Sequence, residues 1–200
     1  TATADILRVI SASVTDTQPV FEAIVKACQR LFGGRTVNLL LPHAGMLQRV
    51  AVATDGSMAG REVAAQWPLD HDSVAGDCVL SAKVIVVEDR DEVVERYPRT
   101  RELAAAIGWR SGLFAPLLHD GAAVGAIGIV RADTGSFDEQ QIALAQTFAD
   151  QAVIAIQNAR MFNETKEALE QQQASAEVLA VIGRSVADAQ PVFDSICTSL

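Results

Sequence analysis

The chain reads GLFAPLLHDGAAVGAIGIV over residues 112–130, the most apolar stretch of the sequence. Two apolar runs, residues 112–118 and 123–130, stand on either side of His119-Asp120-Gly121, a turn of the hairpin type. The polar turn, four glycines and Pro116 interrupt the stretch, which argues against a membrane-spanning helix. The pattern therefore predicts two buried strands joined as an antiparallel hairpin.

The rest of the chain alternates between helical and strand patterns. Apolar residues at helical spacing follow Asp16-Thr17 and end at Gly33-Gly34, which predicts a first helix with a capped start. The order of elements predicts an α+β fold with a central antiparallel sheet and helices on its faces. The predicted strands cover residues 36–41 (ended by Pro42), 46–54, 61–69 and 84–87, and the predicted helices cover residues 73–82 (capped by Asp72 or Ser73), 99–107 and 137 onward, with a break at 188–191.

The two ends of the chain repeat each other. Residues 6–21 return as residues 178–193 at a constant offset of 172, and both copies contain Asp-x-Gln-Pro-Val-Phe. This period is too long for a solenoid unit and suits a whole domain with its connecting helix. We therefore expect a longer parent chain with a tandem repeat. The predicted parts are an N-terminal signalling helix (1–15), a domain (16–162), a connecting helix or coiled coil (163–187) and the truncated start of a second copy (188–200).

The composition limits the classes of partner. Half of the residues are hydrophobic and one fifth are charged, so the chain can bury a full core. A net charge of -9 disfavours nucleic acid and anionic membrane surfaces, because both would repel the chain. Cys28, Cys78 and Cys197 are odd in number and widely spaced, which favours a reducing cytoplasm over a disulfide framework. We expect a cytoplasmic location, with no membrane contact of this stretch.

The hairpin and the helix after it resemble a known family. Residues 112–118, Gly121 and residues 124–129 are similar to the final hairpin of GAF domains, and residues 137–160 are similar to their C-terminal helix. The resemblance covers roughly residues 6–162. It implies a GAF/PAS-like sheet with a ligand pocket on one face and, on the other, helices that pair in dimers. Tandem GAF modules joined by long helices are typical of bacterial sensor histidine kinases and of some nucleotide cyclases.

The resemblance leaves the cofactor unknown. GAF domains that hold a bilin covalently carry a cysteine between the fourth strand and the final hairpin, and residues 89–110 contain none. No covalent bilin is therefore expected. Residues 137–139 are similar to the end of the cyclic-nucleotide signature, but its lysine is missing. We interpret them as a helix start in which Ser136 and Glu139 form a capping box.

A non-covalent pocket would lie under the middle segment, as in other GAF folds. The start of the short helix at Ser73 could receive an anionic group through free backbone N–H groups. His71 lies between Asp70 and Asp72, and the opposite charge of these carboxylates would act on its imidazole if the side chains meet. The alternative is that the aromatic and thiol side chains belong to the core and the arginines to a solvated rim. The pocket candidates are Trp67, Asp70, His71, Ser73, Cys78, Arg90, Tyr97 and Arg110.

The final helix carries a candidate dimer seam. Its apolar positions follow alternating steps of three and four residues, the spacing of a coiled coil. The expected partner is a second copy of the chain, with a downstream output domain in each chain. The alternative is that the alanines pack on the sheet of their own chain and the protein is a monomer. The seam residues are Ala145, Ala149, Ala152, Ile156, Ala159, Phe162 and Leu169.

These observations predict a sensory or relay GAF module of a sensor histidine kinase in a two-component system. No ATP-binding motif or other catalytic motif lies in the sequence, and His43, His71 and His119 are too far apart to suggest a metal site. Two alternatives remain open. One is a stand-alone redox enzyme of the free methionine sulfoxide reductase type, motivated by the three cysteines. The other is a GAF module of a nucleotide cyclase.

Overall fold

The computed structural model describes residues 18–32, 35–54 and 64–198, and it describes side chains outside 105–107 and 177–198. Four helices, six strands and one 3-10 turn follow one another in this part of the chain. In chain order they are α1 (Gln18–Leu31), β1 (Thr36–His43), β2 (Met46–Ala53), β3 (Gln66–Pro68), α2 (Val74–Ser81), β4 (Ile85–Val87), the 3-10 turn Arg90–Glu92, α3 (Pro98–Ile107), β5 (Ser111–His119), β6 (Ala122–Arg131) and α4 (Glu139–Thr198).

The six strands form one antiparallel sheet in the order β3-β2-β1-β6-β5-β4. The β5–β6 hairpin is confirmed. Its loop is the pair Asp120-Gly121, with φ of 49° and 80°, and positive φ at both loop residues matches the right-handed twist of the strands. The loop Ala44-Gly45 between β1 and β2 has the same form, with φ of 49° and 77°. The expected α+β fold with a central antiparallel sheet is therefore present.

Alternate residues of the strands point to opposite faces of the sheet. On one face Leu39, Leu113 and Ile127 pack against α1 and the first part of α4, and we call it the α1/α4 face. On the other face Leu40 and Phe114 pack with residues of α2 and α3, and we call it the α2/α3 face. Each face has its own hydrophobic cluster, so one sheet separates two cores.

Two glycines of β6 allow close packing. A Cβ on Gly125 would stand 2.5 Å from the carbonyl oxygen of Leu40 on the neighbouring strand. A Cβ on Gly128 would stand 3.0 Å from the ring of Phe114, which lies opposite it on β5. A side chain at position 125 would therefore displace backbone, whereas one at position 128 would require the Phe114 ring to shift by a few tenths of an ångström.

The predicted end of the first strand is wrong. Pro42 lies inside β1, which continues to His43. β6 pairs with β1 only as far as Leu40, and beyond that point β1 has β2 as its one partner. A proline at an edge position removes no hydrogen bond from the ladder, so the strand continues through it.

The predicted capping box of the last helix is also displaced. α4 begins at Glu139, and its box is formed by Asp138 and Gln141 rather than by Ser136 and Glu139. The N–H of Gln141 donates to Asp138 Oδ1 at 2.7 Å, and the N–H of Asp138 donates to Gln141 Oε1 at 3.2 Å. Aspartate is as good a cap as serine, and glutamine at the third helical position completes the box as glutamate would.

The predicted break at residues 188–191 is wrong, because α4 is helical without interruption to Thr198. Proline has a helical φ, so the backbone continues through Pro191 with the loss of one hydrogen bond. The second GAF copy stays a prediction. The predicted N-terminal helix (1–15), the cap Asp16-Thr17 and part of the third predicted strand lie outside the described residues.

The chain divides into two compact units, Thr1–Ala159 and Arg160–Leu200. The first contains the sheet, and the border lies close to the predicted domain end at residue 162. Among the residues that the structure describes, no helix combines the length and the apolar character needed to cross a membrane.

Candidate ligand cavity

A cavity of about 50 Å³ lies on the α2/α3 face of the sheet. Strand residues form its floor, and Trp67 and Trp109 lie in its walls. The N-terminus of α2 and one face of α3 close it from the other side, where Thr100 and Leu103 contribute. The floor is formed by Asn38, Leu40, Arg49, Phe114 and Val130.

A β-bulge brings Arg49 to the cavity. Leu39 pairs with Ala51, whereas the next residue, Leu40, pairs with Arg49, so Val50 is the extra residue. An extra residue reverses which side chains face which side of the sheet. Ala51 consequently packs on the α1/α4 face, and Arg49 joins Leu40 on the α2/α3 face. Burial lowers the pKa of Arg49, although an arginine this basic remains charged at neutral pH.

The hydroxyls of Ser73 and Thr100 organise the start of α2. Ser73 is the N-cap, and its Oγ accepts from the N–H of Gly76 at 3.0 Å and from Trp67 Nε1 at 3.2 Å. The N–H of Val74 donates to Thr100 Oγ1 at 3.0 Å. These bonds occupy two of the first-turn donors. Side chains of the same chain therefore already satisfy these two N–H groups, and binding of an anionic group at this helix start stays a prediction.

Asp77 is the centre of a polar cluster beside the cavity. Its Oδ1 lies 2.7 Å from His71 Nδ1, and its Oδ2 accepts from Tyr97 Oη at 2.7 Å and lies 3.4 Å from Arg96 Nη2. Burial alone would raise the pKa of Asp77, but the hydrogen bonds from Tyr97 and His71 and the nearby positive charges outweigh it and lower the pKa. Burial, together with the Asp77 carboxylate, raises the pKa of Tyr97 to about 12, so its hydroxyl stays a donor.

His71 therefore contacts Asp77 and neither of its sequence neighbours. Asp70 instead accepts from Arg99 Nη2 at 3.0 Å. The partner of His71 is therefore set by the fold of α2, which places Asp77 next to residue 71, and not by adjacency in sequence.

Arg90 and Arg110 hold the segment that carries Trp109. Arg90 Nη1 donates to the carbonyl oxygen of Trp109 at 3.0 Å, and Arg110 Nη2 pairs with Asp89 Oδ2 at 2.8 Å. Neither arginine lines the cavity. Their positions next to a cavity wall make them supports of the wall rather than ligand contacts.

Of the eight predicted pocket residues, Trp67 and Ser73 line the cavity. The other six surround it or lie in the core: Asp70, His71, Cys78, Arg90, Tyr97 and Arg110. Four further lining residues were not among the predicted ones: Asn38, Arg49, Thr100 and Trp109. A polar residue within the apolar β1 run was a detectable signal for Asn38, whereas the bulge that turns Arg49 inwards has no clear local signature.

The two cysteines whose side chains the structure describes lie in different cores. Cys28 of α1 belongs to the core of the α1/α4 face, and Cys78 of α2 belongs to the other core. Burial raises the pKa of Cys28 to about 12, and burial with the Asp77 charge raises that of Cys78 to about 12. Both thiols are therefore protonated at neutral pH. In the described part of the chain, no group of three or more His, Cys, Asp or Glu side chains could hold a metal ion.

The predicted dimer seam divides at the border of the two units. Its alanines in the first unit are buried in their own core, and Ile156 packs partly against that core. They are not available to a partner, because the same helical stripe that would suit a coiled coil packs here on the sheet and α1. Phe162 and Leu169, in the second unit, are 48% and 53% exposed. The buried seam alanines are Ala145, Ala149, Ala152 and Ala159.

A family model for the GAF domain matches residues 14–157. Among solved structures, a methyl-accepting chemotaxis protein fragment (its residues 122 to 287) is 23% identical with a TM-score of 0.64, covering 80% of this chain and 98% of that one. A domain described as part of a two-component sensor histidine kinase from Sinorhizobium meliloti is 24% identical with a TM-score of 0.56, covering 73% and 94%.

Free methionine-R-sulfoxide reductase from Neisseria meningitidis, solved with its substrate, is 18% identical with a TM-score of 0.63, covering 80% of this chain and 89% of that one. No curated protein matches the sequence. At such identities the likenesses show a shared fold, which signalling proteins and an enzyme both use.

Proposed function

Because the chain belongs to the GAF domain family, we propose that it is a sensory or relay module of a cytoplasmic signal-transduction protein, with a sensor histidine kinase as the parent. The observation that carries this proposal is that neighbouring residues of one strand contact the cavity on one face and the helix core on the other. Val130 of β6 lines the cavity, while its neighbour Ile129 packs in the core under α1 and α4. A shift of β6 caused by a ligand would therefore reach both faces.

Arg131 supports a connection from β6 to α4. Its guanidinium donates to Ser111 Oγ and to the carbonyl oxygens of Gly135 and Ser136, which come shortly before the helix. The guanidinium carbon also lies 4.3 Å from the ring centre of Phe137. The end of the strand next to the cavity is thus bonded to the segment that leads into α4, so movement of one displaces the other.

The proposed signal path ends in a homodimer of helices. In the second unit, Met161, Phe162 and Leu169 are 63%, 48% and 53% exposed. Phe162 and Leu169 are seven residues apart, so they share one side of a helix, as the residues of a coiled-coil seam do. We propose that a second copy of the chain covers them and that an output domain follows.

A charge-insertion experiment tests this dimer. The variant Phe162→Glu with Leu169→Glu places like charges in the proposed seam, and sedimentation should show a dimer for the native chain and a monomer for this variant. The control, Gln171→Glu with Ala174→Glu, adds the same charge on exposed positions far around the helix and should stay dimeric. A native monomer, or a Phe162/Leu169 variant that remains dimeric with unchanged circular dichroism, would contradict the proposal.

The arrangement of the described thiols does not favour the redox enzyme. Cys28 and Cys78 lie on opposite faces of the sheet, and burial keeps both thiols protonated. Thiolates are the reactive form, and two cysteines in one mechanism have to meet. Turnover of free methionine sulfoxide that is lost on Cys78→Ser would support the enzyme instead of the relay module.

A further inference from the structure

The cavity on the α2/α3 face presents mainly hydrogen-bond donors. Both acceptor positions of Ser73 Oγ are taken by the N–H of Gly76 and by Trp67 Nε1, so its remaining capacity is the O–H proton. Thr100 Oγ1 accepts from the N–H of Val74 and likewise retains its proton. These two hydroxyls can therefore donate hydrogen bonds to a ligand, and a ligand with oxygen acceptors fits best.

The lining also carries a positive charge, which favours ligands with negatively charged oxygen acceptors. Among the described residues that line the cavity, Arg49 is the one charged side chain, and none is acidic. Arg49 also interacts with another part of the chain, and its guanidinium carries five N–H donors in a fixed planar geometry. Asn38, on the adjacent strand and the same face, adds an amide that both donates and accepts.

The remaining walls are apolar and the space is small. Trp67, Trp109 and Phe114 surround the cavity with aromatic rings, and Leu40 and Val130 lie on its floor. A volume of about 50 Å³ corresponds to roughly three to five water-sized positions, since each takes about 10–15 Å³. The ligand is consequently limited to a few heavy atoms, part of them apolar.

We propose that the cavity binds a short-chain carboxylate of about four to six heavy atoms. Arg49 and the hydroxyls of Ser73 and Thr100 receive the carboxylate, and the aromatic walls receive the alkyl part. This inference rests on the proposed sensory function and assigns a ligand class to its site.

The two tryptophans provide a direct readout. They are the chain's complete set of tryptophans, and both line the cavity, so intrinsic fluorescence reports on this site. The protein is titrated with acetate, propionate and butyrate, and with acetamide, propionamide and butyramide as neutral ligands of matched size. Sodium chloride at equal ionic strength controls for salt. We expect a saturable change for propionate or butyrate with a Kd on the order of 0.1–1 mM, since so few atoms limit affinity.

The comparison of acid with amide decides the proposal in the native protein. Each carboxylate should bind at least about tenfold more tightly than its amide, because charge-assisted hydrogen bonds are the stronger ones. Equal binding of acid and amide, no saturable signal below about 10 mM for any ligand, or the same signal from chloride would overturn it.

Variants then identify the receiving group. Arg49→Gln should weaken propionate binding at least about tenfold and leave propionamide binding unchanged, whereas Arg49→Lys should retain part of the preference. Arg30→Gln, on the exposed side of α1, removes the same charge far from the cavity and should bind as the native chain does. Native-like affinity in Arg49→Gln would overturn the assignment. The sedimentation result does not depend on these titrations, so a failed ligand class and a failed dimer are separable.

Discussion

The two faces of the sheet use alternate residues of the same strands and differ in composition. Aliphatic side chains and alanines dominate the α1/α4 face, where α1 contributes Val20, Ile24 and Cys28. The α2/α3 face holds Trp67, Tyr97 and other aromatic residues together with buried Ser73, Asp77 and Thr100. The α2/α3 face encloses the cavity.

This difference shows how one small domain can keep a stable core and also contain a cavity for a ligand. The larger of the two apolar clusters lies on the α1/α4 face and contributes to the free energy of unfolding, because every buried methylene does so. Buried polar groups on the α2/α3 face are tolerated because each finds partners: Asp77 accepts from Tyr97, and Thr100 from the N–H of Val74. The buried polar groups and the cavity thus lie on the same face of the sheet, the α2/α3 face.

The largest expected difference between the faces comes from a neighbouring pair of leucines. Leu39 is fully buried in the α1/α4 core, and Leu40 is 2% exposed but borders the cavity. Leu39→Ala should reduce the free energy of unfolding by about 3–5 kcal/mol, and Leu40→Ala by about 2–3 kcal/mol, because Leu40 has fewer neighbours to lose. Urea denaturation measures both. A loss for Leu40→Ala that equals or exceeds that for Leu39→Ala would remove the distinction.

The polar cluster of the α2/α3 face should make stability depend on pH. The pKa of Asp77 is lowered in the folded chain, so its carboxylate stabilises the fold above the unfolded pKa of about 3.9 and loses that effect as pH falls through the folded value. Asp77→Asn should cost about 1.5–3 kcal/mol near pH 7, the range for hydrogen bonds to a charged group.

Thermal denaturation from pH 7 to pH 2.5 checks this dependence. The difference between the native chain and Asp77→Asn should shrink below about pH 4. Asp150→Asn, at an exposed position of α4, is the control and should match the native chain at every pH. A difference that stays constant across the range would mean that charge is not what Asp77 contributes.

The smallest effect is expected on the outer side of α1. Lys26 Nζ lies 3.0 Å from Glu22 Oε2, but the two side chains are 61% and 49% exposed. Lys26→Ala should change stability by less than about 0.5 kcal/mol, because water and salt screen exposed pairs. Urea denaturation at low and high salt measures it. A loss above about 1 kcal/mol would show that charge also matters on the α1/α4 side.

The local elements of the sheet follow from short-range patterns in the amino-acid sequence. The Asp120-Gly121 loop, the position of Gly128 and the Ser73 cap depend on residues close in the chain or directly across a hairpin. Turn dihedrals, contacts across a hairpin and helix caps are short-range chemistry, so sequence patterns report them. The family resemblance rested on the same hairpin, and the GAF fold was therefore predictable.

Tertiary structure alone decided which side chains meet. The seam alanine Ala152 has the spacing of a coiled coil, yet it packs on its own sheet, since periodicity shows that a stripe is buried and not what buries it. Arg49 enters the cavity because β2 bulges against β1, and Trp109 joins it from a segment about 60 residues away in sequence. The cavity is assembled from segments that only the packed sheet brings together, and no local pattern encodes that meeting.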